Sequence, residues 1–114
     1  MTKYVYKITS QRHWAEAERT GILPKSDLDQ QDGYIHLSTK QQIAATLEKH
    51  FANQENLVLL TIPYDKIANA LKFESARDGQ KFPHLYNDLF VKVIAEKRDL
   101  HVDANGKHIV SEII

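Results

Sequence analysis

Tyr34, His36 and Ser38 stand at alternate positions in the stretch Asp32-Gly33-Tyr34-Ile35-His36-Leu37-Ser38-Thr39. Alternate side chains of an extended chain share a face, so a phenol, an imidazole and a hydroxyl point one way while Ile35 and Leu37 point the other. An imidazole in such a row can hydrogen-bond a ligand or move a proton near neutral pH. A half-exposed histidine with a structural hydrogen bond carries equal weight from the residues alone. Ser38 precedes a helix start, where serine and threonine usually cap the helix. Ligand binding from Ser38 or Thr39 is the alternative, and at least one of the two is expected to be a cap. No Gly-x-Ser-x-Gly elbow is present to make Ser38 a nucleophile.

A second group of polar residues comes later. Glu74 lies on the outward side of an alternating stretch, shortly before Arg77. A carboxylate there can orient a ribose hydroxyl or face a developing positive charge, although surface glutamates are common. The segment Phe82-Pro83-His84-Leu85-Tyr86 offers an imidazole and a phenol between apolar anchors, and Pro83 restricts the backbone on both sides. It is suited to closing over a bound ring, or equally to packing as a plug. Six histidines invite a metal reading, but none of them shows the helical His-Glu-x-x-His spacing or zinc-finger spacing, so no metal is expected. A Rossmann or P-loop reading fails because no glycine-rich loop follows a strand.

The elements that must position these groups follow from periodicity. Lys3–Thr9 alternates and predicts a strand. Ser10 is an N-cap for a helix to about Thr20, with Gly21 as its stop. Residues 22–32 are polar and turn-rich and predict a loop, and Tyr34–Ser38 predicts a strand. Thr39 with Gln42 spells a capping box for a helix to about Ala52, with Ile43, Leu47 and Phe51 at helical spacing. The apolar run Leu57–Ile62, closed by Pro63, predicts a strand covered on both faces. A short helical turn to Ala70 and a strand Leu71–Ser75 follow, the latter with Leu71 and Phe73 inward. Residues 76–88 predict a long irregular segment, which is often functional in a small domain. Leu89–Lys97 predicts a strand, and Leu100–Asp103 with Lys107–Glu112 a hairpin about Ala104-Asn105-Gly106. Strands outnumber helices and the second half is hairpin-rich, so an α+β fold is expected.

Bulk properties limit the function classes. The 114 residues fit one domain, residues 1–114, with 42% hydrophobic and 26% charged residues. Zero cysteines exclude disulfides, thiolate catalysis and cysteine-ligated metals. Lys and Arg number 15 against 15 Asp and Glu, with signs interspersed, so no strong nucleic-acid or anionic-membrane partner is expected. No apolar run reaches membrane-spanning length and no secretory leader is visible, which makes a cytoplasmic location the expectation. A small anionic ligand held by a few groups remains compatible with this balance. The sequence does not determine the oligomeric state.

The order of Tyr6-Lys7-Ile8, Trp14, Asp32-Gly33-Tyr34-Ile35-His36-Leu37-Ser38, His50-Phe51, Leu57–Leu60, Phe73-Glu74-Ser75-Ala76-Arg77 and Phe82-Pro83-His84-Leu85-Tyr86 resembles domain-of-unknown-function family 952, over about residues 3–95. That family is similar in fold to ADP-ribosyltransferases. The resemblance implies two small, mostly antiparallel sheets with a cleft between them and two main helices. It implies NAD or an ADP-ribose-type nucleotide as the ligand, with NAD as a substrate and no certain cofactor. On this mapping Glu74 and His36 would be catalytic, while Tyr34, Ser38, Arg77, His84 and Tyr86 would bind substrate. Glu112 is a less favoured catalytic carboxylate. Lys7-Ile8 departs from the pattern, because those transferases carry His-Gly there to grip the NAD ribose and amide. Two alternatives therefore stand beside the transferase: a non-catalytic module that keeps the cleft, and a small hydrolase using His36 or His84 as base.

Overall fold

A computed structural model describes residues 3–76 and 79–109. Two three-stranded antiparallel sheets form the frame. In the first, β1 (Tyr4–Ser10) and β6 (Glu96–Leu100) flank β3 (Leu57–Pro63). In the second, β2 (Ile35–His36) and β4 (Leu71–Ser75) flank β5 (Lys81–Leu85). The sheets meet where the Tyr6 amide donates to the Ser38 carbonyl and the Ser38 amide donates back to Tyr6, both at 2.8 Å. The helices are α1 (Gln11–Thr20), α2 (Asp27–Asp32), α3 (Ile43–His50) and α4 (Tyr64–Ile67). The fold is thus α+β, as expected, and no helix among the described residues is long and apolar enough to cross a membrane.

β3 is apolar apart from Thr61 because it is covered twice. Val58, Leu60 and Ile62 pack with Val5 of β1, Ala17 of α1, Ile35 and Leu85 of the second sheet, and Leu37 just past β2. Leu57 and Leu59 face the other way, onto Ile43 and Leu47 of α3. Ser10 caps α1 by accepting from the His13 amide, and Gly21 ends it in the left-handed region (φ 88°).

Several expectations need correction. Residues 22–32 are not all loop: Ser26 accepts from the Asp29 amide to start α2, and Gly33 ends it at φ 81°. The pattern Ser26-x-x-Asp29 followed by Gly33 was a legible start and stop, too short to show apolar periodicity. The 39–52 helix is a 3₁₀ turn over Lys40–Gln42 leading into α3. The strand expected over 89–97 is a 3₁₀ turn at Val91–Val93 with β6 starting at Glu96. The C-terminal hairpin, by contrast, turns at Ala104-Asn105-Gly106 as expected: Val102 bridges His108, the Asp103 amide donates to the Lys107 carbonyl at 2.7 Å and the Ile109 amide to the His101 carbonyl at 2.8 Å, while residues 110–112 lie outside the described residues. Phe73 is 45% exposed rather than inward, because β4 is the outer strand of its sheet.

The largest correction concerns residues 76–88, where β5 takes the centre of the second sheet. A proline is unusual in a central strand, since it cannot donate to the ladder. The Leu37 amide donates to the Pro83 carbonyl at 3.0 Å, so the backbone groups of Pro83 face the β2 side. β2 ends at His36, and the missing N–H falls opposite Leu37, past the end of that short strand.

Candidate functional site

The second sheet carries opposite chemistry on its two faces because residues paired across a ladder share a face. Ile35 pairs with Leu85, and Leu85 with Leu71, giving an apolar row toward the core. His36 pairs with His84, and His84 with Lys72, on the opposite face, with Glu74 two residues along. Tyr34 and Tyr86 flank the histidines on the same parity.

Ring contacts join these side chains. Tyr34 stacks on His84 with centroids 3.9 Å apart and planes 22° from parallel. Tyr34 also lies 4.7 Å from His36 and 5.3 Å from Tyr86, and the two imidazoles are 5.7 Å apart. Glu74 anchors the far side. Its Oε1 accepts the Tyr86 hydroxyl at 2.6 Å and contacts His84 Nδ1 at 2.8 Å. The Tyr86 bond, followed by the His84 bond, holds the Glu74 carboxyl below its usual range. The same bond, with lesser contributions, pushes the Tyr86 phenol up to about 12.

His84 is buried, and its Nδ1 contact to a carboxylate fixes the proton there, which leaves Nε2 as an acceptor in the neutral ring. Nε2 makes no hydrogen bond among the described residues. Lys72 reaches over the Tyr86 ring at 5.1 Å. A shallow hollow beside the rings is lined by Tyr34, Tyr86 and Gly33, and by Lys25, which pairs with Asp88 at 2.6 Å. A separate hollow against the first sheet, between Tyr4, Tyr6 and Glu96, contains no imidazole.

On the other side of the rings a charged network holds His36. Asp29, 1% exposed, accepts at Oδ1 from the His36 backbone amide (3.0 Å) and contacts the His36 ring Nδ1 (2.6 Å). Its Oδ2 accepts from Lys7 Nζ at 2.9 Å, and the same ammonium donates to the His36 carbonyl at 3.1 Å. His36 Nε2 meets Asp32 Oδ2 at 2.9 Å. Both ring contacts are hydrogen bonds only when both nitrogens carry protons. Burial pushes the Asp29 carboxyl up, but the His36 ring and the Lys7 charge outweigh it and hold it well below the usual carboxylate range. Burial lowers the Lys7 ammonium, with Asp29 opposing.

Of the residues singled out from sequence, Tyr34, His36, Glu74, His84 and Tyr86 come together in one cluster. Ser38 does not join it: it is buried and its hydroxyl is 3.1 Å from the Thr46 hydroxyl. Its neighbour Thr39 forms the expected capping box with Gln42. Arg77 and Glu112 lie outside the described residues. No group of three His, Asp or Glu among the described residues is arranged to hold a metal ion. Lys7, Asp29 and Asp32 are the members that sequence reasoning missed. The recognisable signal for the two aspartates was the short helix that carries them, with Asp32 four residues before His36.

An alkaline titration checks the Glu74–Tyr86 bond. Tyr86 is expected to ionise at about 12 in the native chain, and Glu74→Gln is expected to bring it back toward 10.0. Nuclear magnetic resonance of the tyrosine ring carbons reads this residue by residue. An unshifted Tyr86 in the native chain would contradict the bond.

The family model described as "Protein of unknown function (DUF952)" matches residues 8–97, which include Tyr34, His36, Glu74, His84 and Tyr86 but begin just after Lys7. The crystal structure of protein CC0527 from Caulobacter crescentus is 38% identical, covers 96% of each chain and superposes with a TM-score of 0.90. The solution structure of CC0527 gives 0.87 at the same identity, over 97% of this chain and 96% of that one. No curated protein matches the chain.

Proposed function

The chain belongs to the family of unknown function DUF952, and for this member we propose that the ring-lined face receives NAD or an ADP-ribose-type nucleotide, as substrate rather than resident cofactor. The observation that carries the reading is the Glu74 carboxylate, fixed by Tyr86 and His84 at the edge of the stacked Tyr34 and His84 rings. An ionised, oriented carboxylate beside aromatic faces suits a ligand with a flat ring and a hydroxylated sugar. The two small antiparallel sheets support extending the family resemblance to an ADP-ribosyltransferase-like fold. The reading places the protein in the cytoplasm and gives Arg77 a phosphate.

In the catalytic form of this reading, Glu74 faces the positive charge that develops on the ribose as the bond to nicotinamide breaks. Nicotinamide leaves with the bonding electron pair, a water oxygen bonds to the ribose carbon, and the water proton passes to His84 Nε2 and then to solvent. Tyr34 and Tyr86 position the ring and the sugar. His36, with both ring nitrogens on carboxylates, orients this wall. The alternative is a binding module without turnover, and Lys7 favours it. Where the transferases carry a histidine that grips NAD, Lys7 is spent on Asp29 and a backbone carbonyl.

Calorimetric titration with NAD and with ADP-ribose, followed by chromatography for released nicotinamide, tests the reading. Binding is expected, and Tyr34→Ala should weaken it by the equivalent of one stacked base, about 1–3 kcal/mol. Binding of ADP-ribose with no nicotinamide release selects the module. Binding of neither nucleotide removes the proposal.

A further inference from the structure

The outer edge of the second sheet carries a self-complementary sequence. β4 pairs with β5 on one side and, among the described residues, has no strand on the other. The Tyr86 amide donates to the Ala70 carbonyl, and the Ala76 amide to the Gln80 carbonyl, both at 2.8 Å. In an antiparallel ladder the N–H and C=O of one residue point the same way, and the direction alternates along the strand. Even-numbered residues of β4 therefore bond β5, while the backbone groups of Leu71, Phe73 and Ser75 face the open edge. Pro83, opposite Phe73, accordingly loses no bond to β4. Such an edge is a template for another strand, and Phe73 stands exposed on it.

We propose that two copies of this chain pair edge to edge through β4, antiparallel, about a two-fold axis at Phe73. In this register Phe73 lies opposite Phe73 of the partner subunit, and Leu71 opposite the partner's Ser75. All of these are outward-facing residues, so the backbones exchange hydrogen bonds at each pair. Lys72 then falls opposite the partner's Glu74 and Glu74 opposite the partner's Lys72, in the pairs whose side chains lie closest. The neighbouring registers that keep the hydrogen bonds set Lys72 against the partner's Lys72, or Glu74 against the partner's Glu74. Registers shifted by an odd step set outward groups against inward ones.

The β6 edge of the first sheet lacks this property. On β6, Lys97 pairs with Asp99 and Arg98 with Glu96 within the strand, a charged row that discourages pairing. The β4 contact fuses two three-stranded sheets into one of six strands and brings the partner's Lys72 to the Glu74 carboxylate. Each subunit thus contributes a cation to the other's ring face. The inference does not depend on the nucleotide reading.

A five-residue contact is small, below the about 1,200 Å² of a standard interface, so the association depends on concentration. Sedimentation equilibrium of the full chain over a dilution series is expected to show a mass rising from 13.1 kDa toward twice that value. Ser75→Pro removes one outward N–H without touching a β5 bond, and Lys72→Glu sets like charges opposite each other twice. Each is expected to raise the dissociation constant by roughly tenfold or more. The swap Lys72→Glu with Glu74→Lys restores opposite charges and should recover pairing. Circular dichroism verifies that each variant is folded, and Ser75→Pro and Lys72→Glu decide the matter if the swap is not. A mass that stays at the monomer throughout, or a dimer indifferent to both single variants, overturns the proposal.

Discussion

Replacing Asp29 with alanine is expected to remove about 3–5 kcal/mol of folding stability, measured by urea denaturation at neutral pH. A domain of this size typically has only about 5–15 kcal/mol in total, so the variant should be on the verge of unfolding. The reason lies in what Asp29 leaves behind. The Lys7 ammonium is buried beneath it, and the His36 amide and ring nitrogen both point at it. Alanine leaves the two His36 donors without this acceptor and the Lys7 ammonium with the His36 carbonyl in place of a counter-charge. Lys7→Met combined with Asp29→Leu removes the buried charge along with its partner and should recover much of the loss. A single variant as stable as the native chain would contradict the network.

The same carboxylate fixes the sign of a pH effect. The Asp29 carboxyl titrates lower in the folded chain than its ordinary 3.8. Its contribution is therefore fully present above that ordinary value and is lost as pH falls through the folded one. The part of the stability gap between the native chain and Asp29→Ala that this carboxylate's ionisation supplies should therefore disappear in strong acid.

The contrast between Asp29 and Tyr34 shows what the sequence made legible. The Tyr34/His36 row was readable because strand alternation is a local rule, and the Ile35 and Leu37 positions confirm it by their burial. The double covering of β3 was readable for a similar reason: four consecutive apolar residues, Leu57 to Leu60, leave neither face to give to water. The network beneath His36 was harder to read, because Lys7 lies 22 residues before Asp29 and meets it only when β1, α2 and β2 assemble. Lys7 and Asp29 look like ordinary surface residues until then. β5 was hidden by Pro83, whose usual meaning is the end of a strand; only the shortness of β2 makes it tolerable there. Ser38 shows the opposite error. Its parity placed it on the functional row, but the bridge to Tyr6 turns the chain inward and its hydroxyl meets Thr46.

The two histidines should separate when mutated, and this is the sharper test of the proposed chemistry. His84→Ala is expected to lower nicotinamide release from NAD by about 10²- to 10⁴-fold, the usual contribution of a general base. His36→Ala should act mainly on folding, by about 1–3 kcal/mol, because its ring contacts hold Asp29 and Asp32. The distinction rests on the nitrogens. Both on His36 face carboxylates, whereas His84 has one on Glu74 and one with no hydrogen bond among the described residues. Steady-state rates and urea denaturation of both variants separate the two effects, since His84 is itself buried and its loss will also cost some stability. Glu74→Gln completes the set. It keeps the side chain's shape but discards the charge that orients His84, so its rate should fall with that of His84→Ala. Equal rates for native chain and His84→Ala, with a collapse in His36→Ala at unchanged stability, would move the proton transfer to the other side of the Tyr34 ring.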